Sequence, residues 1–563
     1  MAAPIRIGNF SGFYGDRLSA LSEMLEGGGV DVLTGDYLAE LTMLILGRDR
    51  LKDPSTGYAK TFLQQLQGTL SLAKLTGTKI VTNAGGLNPS GLAAAIRVLA
   101  HELDVDVRVA HVEGDDIVGR AVELGLPEGA LAANAYLGAW GIVEALNAGA
   151  DIVVTGRVTD ASLIVGPAAA HFGWSRTCFD QLAGAVVAGH AIECGTQVTG
   201  GNYAFFTEIK DLVRPGFPIA QISADGSSVI TKHAGTGGEV SVGTVTAQLL
   251  YEIGGPSYLG PDVVADFSTI SLADDGPDRV RISGVRGSEP PATLKVGINS
   301  LGGFRNEATF VLTGLDIEAK AELIKSQLAD LDAVWTLART DHADAPQQEA
   351  AAALLHCVVR SADAAEVGRA FSSRAVDLAL ASYPGYHLMP PGNGSPYGVF
   401  SAAYVEQSLV PHVVVLDDDT RLDIPPAPAT ARASSTRNPE PEISGFETRE
   451  QEPTRRVALG SVFGARSGDK GGSANVGIWG RSAAAYHWLA ANFTVDLLKE
   501  LLPETAPLTV HRYEYPRLLA VNFLIEGILG QGVAENVRHD PQAKAIGEWL
   551  RSRYVDLPEE LLS

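Results

Sequence analysis

The stretch Val30-Asp31-Val32-Leu33-Thr34-Gly35-Asp36-Tyr37-Leu38-Ala39-Glu40 (VDVLTGDYLAE) sets a short apolar run against a loop of Thr, Gly and Asp, and a helical pattern follows. The same order recurs through the first half of the chain. Residues 5–8 lead into NFSGFYGD, 79–81 into TNAGGLNPS, 107–110 into HVEGDD and 151–154 into TGRVTDAS. Repeated strand, loop and helix units predict an α/β fold with a mainly parallel sheet and flanking helices. In such sheets ligands bind at the carboxyl ends of the strands, where these loops sit.

Outward from that core the texture changes. From about residue 220 the chain reads as β-rich segments around Gly turns, with a helix near 244–253, strand-like segments over 294–312 and helical patterns at 318–331 and 362–381. A large domain over 1–416, with a subdivision near 220–290, is the expectation. Residues 417–456 are rich in Pro, Ser, Thr and mixed charge without apolar periodicity and read as a linker. Residues 457–563 then predict a small α+β domain, with strands at 457–463 and 508–515 and helices at 484–493, 495–502 and 543–554.

The 563 residues carry 43 Lys and Arg against 66 Asp and Glu, a net charge of −23. That field argues against nucleic acid as a partner. Three scattered cysteines, Cys178, Cys194 and Cys357, build neither a disulfide framework nor a four-thiolate metal site. The start MAAPIRIGNF shows no signal-peptide pattern, and no apolar run approaches the ~20 residues of a membrane helix. A cytoplasmic protein with no membrane span is expected, and a homo-oligomer follows from the prevalence of symmetric assemblies.

Several loops carry chemistry. Asp36 and Asp160 each follow a strand and open a helix; with Asn83 and Arg157 on neighbouring strand ends they would converge on one cleft as an acid and a base, or serve only as helix caps. In TNAGGLNPSG, Gly85 and Gly86 permit close backbone approach and Asn88 precedes a helix amino end, which suits a phosphate or merely a well-capped helix. It matches neither nucleotide fingerprint. HAIECGTQVTGGNY places His190, Glu193 and Cys194 together, for catalysis or for packing; no second ligand pair accompanies them, so no metal is assigned.

Lys232 and His233 precede a loop containing Gly235 and Gly237, which suits a phosphate or thioester oxygen, or only a turn. Tyr386 lies with Tyr383, His387 and Tyr397 in SYPGYHLMPPGNGSPYGVF, a rigid aromatic loop of the kind that lines apolar pockets or packs on a surface. ARSGDKGGSAN at 465–475 fails the phosphate-loop spacing, because Asp469 intervenes between Gly468 and Lys470. Its Arg466, Asp469 and Lys470 either pair internally or reach the large domain's cleft as a clamp.

Taken in order, VLTGDYLAELTM, TNAGGLNPSG, TGRVTDASL, HAIECGTQVTGGNY, TKHAGTGGEVSVGTVTAQLLYEIGGPSYLGPDVVADF and ARSGDKGGSAN resemble the acyclic terpene utilisation AtuA family. The resemblance spans about residues 5–415 for the large domain and 457–560 for a ferredoxin-like one. It implies catabolism of branched acyclic terpenoids such as citronellol and geraniol through CoA thioesters, hence an acyl-CoA or related carboxylate ligand. It carries over no catalytic residue, and CoA enters as part of the substrate rather than as a resident cofactor. Two functions stay open: a lyase or hydratase acting on a branched acyl-CoA, or a non-catalytic binding or assembly subunit.

Overall fold

A computed structural model describes residues 2–431 and 453–562, so most of the expected linker lies outside the described residues. The chain forms two compact units. The larger contains Met1–Asn299, Phe400–Val533 and Gln542–Ser563, and the smaller contains Ser300–Val399 and Ala534–Pro541.

The larger unit is organised by an 11-stranded sheet. Its centre runs Ile5–Ser11, Val32–Gly35, Lys79–Thr82, Ile152–Thr155 and Val109–Glu113, all parallel. Successive residues on these strands serve opposite faces: Val32 and Val153 enter one apolar cluster, while Leu33, Ile152 and Val154 enter another. That explains runs that are apolar throughout rather than alternating, since a parallel sheet is covered on both sides.

A mainly parallel sheet is not what forms. On one flank Pro218–Ile222, Ser228–Lys232, Val280–Ser283 and Ser271–Asp274 add in antiparallel order, and on the other Val413–Val415 and Arg421–Asp423 do the same. The cause is local at 222–228, where Gly226 at φ 84 closes a tight turn with its N–H on the Ser223 carbonyl. A tight turn joins antiparallel neighbours, whereas a parallel pair needs a long crossover.

The carboxy-terminal part holds an antiparallel four-stranded sheet in the order Gly464–Lys470, Ser473–Trp479, Ala520–Ile525, Val510–Tyr515. Helices Ala483–Asn492 and Val495–Leu501 pack on it through Leu489, Phe493 and Leu498. ARSGDKGGSAN is therefore not a loop. It is a hairpin paired from Gly464↔Trp479 to Lys470↔Ser473, with Gly471 at φ 63 in its two-glycine turn. Polar composition hid the strands because Arg466, Ser467 and Asn475 are buried in specific contacts.

In the smaller unit, residues 304–313 of the strand Thr293–Thr313 pair with Ala352–Ser361, which in turn pairs with Ala333–Ala338. Helices Ile317–Gln327 and Arg369–Asp377 cover this sheet through Ile324 and Phe371. No helix among the described residues is long and apolar enough to cross a membrane.

Candidate functional site

The ends of three adjacent parallel strands supply the centre of the site. Asp36 follows Val32–Gly35, Asn83 follows Lys79–Thr82 and Arg157 follows Ile152–Thr155. The Asn83 amide donates to Asp36 Oδ1 at 2.6 Å, and the Leu38 N–H donates to the same oxygen at 3.1 Å. Asn83 Oδ1 in turn accepts from the Tyr37 N–H at 2.7 Å, which fixes the amide's orientation. Gly35 permits this turn, because a Cβ there would lie 2.5 Å from the Phe10 ring.

Arg157 is tied down from several sides. Its N–H donates to the buried Asp115 carboxylate at 2.8 Å, its guanidinium donates to the Leu38 carbonyl at 2.5 Å, and Asp160 lies 3.3 Å from it. The guanidinium stacks on Tyr136 at 4.3 Å. Helix Phe179–Ile192 brings up His190 and Glu193, with Nδ1 and Oε1 3.0 Å apart. Among the described residues His190 Nε2 and Glu193 Oε2 have no hydrogen-bond partner.

Asp36, Arg157, Asp160 and Glu193 open onto a cavity of about 1760 Å³ within the larger unit, lined also by Glu40, Tyr136, Cys194, Glu252, Lys295, Asp469 and Lys470 among others, while Asn83 and His190 stand outside its lining. The hairpin contributes Asp469 and Lys470. The Lys470 ammonium donates to the Glu252 carbonyl at 2.8 Å, and Asn475 behind it accepts from the Glu252 N–H at 2.8 Å and donates to the Leu250 carbonyl at 2.6 Å. Gly468 lets the hairpin approach, since a Cβ there would sit 2.4 Å from the Tyr251 ring. Arg466 stacks on Tyr251 at 4.2 Å and hydrogen-bonds Gln197, a residue of the cavity wall.

Burial, reinforced by neighbouring carboxylates, shifts the acids of this site. Burial, with the Asp160 charge beside it, pushes Asp36 well above the usual carboxylate range against the pull of Arg157 and Asn83. Burial together with Asp160 and Glu252 does the same to Glu193. Burial brings Glu252 up to about 7, aided by Asp469, and Asp469 to about 6, aided by Glu40. His190 is held down at about 4 by burial and by the Lys470 charge. Both shifts favour the neutral forms of His190 and Glu193 over an ion pair. Burial also raises the Cys194 thiol well above its ordinary value, which leaves it protonated and a weak nucleophile.

The remaining residues singled out in the sequence lie outside the cavity lining. Asn88 accepts from the Gly91 N–H at 2.9 Å and caps the helix Pro89–Glu102, with its amide on the Ser55 and Thr56 carbonyls. Gly85 packs against the Thr155 carbonyl, and Gly86 takes φ 54. Lys232 donates to the Thr236 carbonyl at 2.7 Å and pairs with Asp278 at 3.0 Å, while His233 Nε2 meets the Gly28 carbonyl at 2.9 Å. Gly235 takes φ 79 in that turn, and Gly237 packs on the Asp211 and Arg214 carbonyls. Tyr386 belongs to the smaller unit, where it packs on Phe310 at 6.0 Å.

Glu40, Tyr136, Glu252 and Lys295 are among the cavity groups that escaped the sequence reading. Glu40 was within sight, since it ends the same TGDYLAE stretch. Among the described residues no group of three or more His, Cys, Asp or Glu side chains is arranged to hold a metal ion.

A comparison with curated proteins finds no match. Family models do match: the acyclic terpene utilisation family protein AtuA over residues 5–416, and the AtuA ferredoxin-like domain over residues 457–556. The two matches cover the cavity's strand-end loops and its hairpin respectively, and by them the chain belongs to the acyclic terpene utilisation AtuA family.

Proposed function

We propose that the protein is a catabolic enzyme of branched acyl-CoA breakdown, a hydratase or lyase acting on a CoA thioester. The family supports a role in acyclic terpene catabolism. The observation that carries the chemistry is the pairing of Asp36, buried and shifted well above the usual carboxylate range, with Asp160 beside Arg157, both lining one cavity with the Lys470 ammonium. Two carboxyl groups in unlike environments are the arrangement that supplies an acid and a base together.

In the dehydrating direction, Asp160 removes the α-proton of a 3-hydroxyacyl thioester, and the electron pair moves onto the thioester oxygen. Lys470 stabilises that developing negative charge. The β-hydroxyl then leaves as water with the proton held by Asp36, and the electron pair forms the α,β double bond. Hydration is the reverse. In a lyase cycle the same base would take the β-hydroxyl proton, and the Cα–Cβ bond would break to leave a carbonyl product and the enolate of the shortened thioester, which takes its α-proton from Asp36. A cavity of about 1760 Å³ exceeds the ~300–1,000 Å³ usual for small-molecule sites and leaves room for a thioester.

Incubation with branched 2-enoyl- and 3-hydroxyacyl-CoAs, followed by mass spectrometry, tests this. Turnover is expected from the wild type, while Asp36→Asn and Asp160→Asn bind without turnover. Wild-type binding with no turnover across the panel would assign a binding subunit instead.

A further inference from the structure

Glu252 sits in a backbone conformation that its side chain does not favour. At φ 55 it is left-handed, a region where Cβ crowds the following carbonyl oxygen and which Gly, and to a lesser degree Asn and Asp, enter most readily. Most other non-glycine residues at positive φ among the described residues are indeed Asp or Asn. The exceptions besides Glu252 are Leu519 and Ala543, and neither lines the cavity, whereas Glu252 does.

The carboxy-terminal sheet imposes this conformation. The Glu252 N–H donates to Asn475 Oδ1 at 2.8 Å, and its carbonyl accepts from the Lys470 ammonium at 2.8 Å. On either side, Asn475 Nδ2 donates to the Leu250 carbonyl at 2.6 Å and Asn522 Nδ2 to the Gly254 carbonyl at 2.8 Å, while the two asparagines bond to each other at 3.0 Å. Both asparagines are fully buried. Backbone strain persists only where its surroundings over-determine it, and such residues cluster at functional sites. Every contact named here is to the Glu252 main chain or its neighbours' main chain, so a glycine would make the same bonds without the strain. What glycine would lack is the carboxyl. That group lies among the charges of Asp469, Lys470 and Lys544, all of them cavity residues, and burial brings it to about 7, so its donor form is present at neutral pH.

We infer that Glu252 is a further catalytic residue, whose carboxyl group donates a hydrogen bond to the thioester oxygen beside the Lys470 ammonium. The two donors come as a unit, because Lys470 is itself bonded to the Glu252 carbonyl. As the α-proton leaves, negative charge gathers on that oxygen, and a fixed donor whose hydrogen bond strengthens there lowers the barrier. The carboxyl keeps its own proton throughout. This rests on the thioester reading above and adds a group to its site.

Turnover of the branched 2-enoyl- and 3-hydroxyacyl-CoA panel, measured beside denaturant unfolding, tests it with Glu252→Gly and Glu252→Gln. Glycine should move the two measurements in opposite directions: kcat falls about 10²-fold with KM little changed, while the unfolding midpoint rises because the strain is gone. Opposed directions exclude lost folding as the cause. Glutamine keeps an N–H donor and should stay within about tenfold of the wild-type kcat. An undiminished kcat in Glu252→Gly would overturn the inference, as would a lower unfolding midpoint in that variant. A Glu252→Gln variant as slow as Glu252→Gly would also overturn it, by assigning the carboxylate as a base. Those three outcomes leave the thioester reading standing, whereas a wild type inert toward the whole panel overturns that reading and this inference with it.

Discussion

TGRVTDAS at 155–162 and TKHAGTGG at 231–238 look alike as sequence, each a Gly-containing loop with charged groups after an apolar strand. In the first, among the described residues Arg157 Nε has no hydrogen-bond partner and Asp160 Oδ1 has only its ion pair with Arg157, and both residues face the cavity. In the second, Lys232 is engaged by Thr236 and Asp278 and His233 by Gly28, and neither residue lines the cavity. Buried polar groups are ordinarily satisfied, so unsatisfied groups that also face a cavity are candidates for ligand contact. Composition alone does not separate the two cases; partner satisfaction does.

The comparison breaks most visibly at Asp36. Asp36→Asn keeps the shape and the Asn83 contact but removes the transferable proton, so turnover should fall by about 10²–10⁴ with thioester affinity preserved, read by steady-state kinetics beside calorimetry. Lys470→Met comes next, with a loss of about 10²-fold in kcat from removing the charge on the thioester oxygen. Gly468→Ala should cost about 1–3 kcal/mol of stability by driving a methyl group into Tyr251, measured by denaturant unfolding, with a several-fold loss of turnover as Glu252 and Lys470 shift. The smallest effect on chemistry belongs to the closed loop. Lys232→Met should lower stability by about 1–3 kcal/mol, because the Thr236 carbonyl loses its donor, while turnover of the folded protein is unchanged.

Periodicity made the parallel centre legible, since Ile152 through Thr155 and its neighbours are apolar on both faces and end in polar loops. It did not reveal the antiparallel flanks, because strand direction at 218–232 depends on one tight turn rather than on the runs themselves. The hairpin from Gly464 to Trp479 was hidden for a related reason: Arg466 and Asn475 are strand residues whose polar groups bond to segments more than two hundred residues away in the chain. Asp36, Arg157 and Asp160 were readable from their place at strand ends. Lys295 and Glu252 were not, because nothing local distinguishes them; only the fold brings them beside Tyr136 and Lys470.

The central claim is that Asp36 and its neighbour Asp160 move protons on a bound thioester. Proton exchange at the α-carbon in D₂O, followed by NMR on a branched 3-hydroxyacyl-CoA, reads that step without requiring the full reaction. Wild type should wash deuterium into the α-position, with exchange lost in Asp160→Asn and retained while elimination stops in Asp36→Asn. No exchange by wild type, or exchange that persists undiminished in Asp160→Asn, would contradict the account.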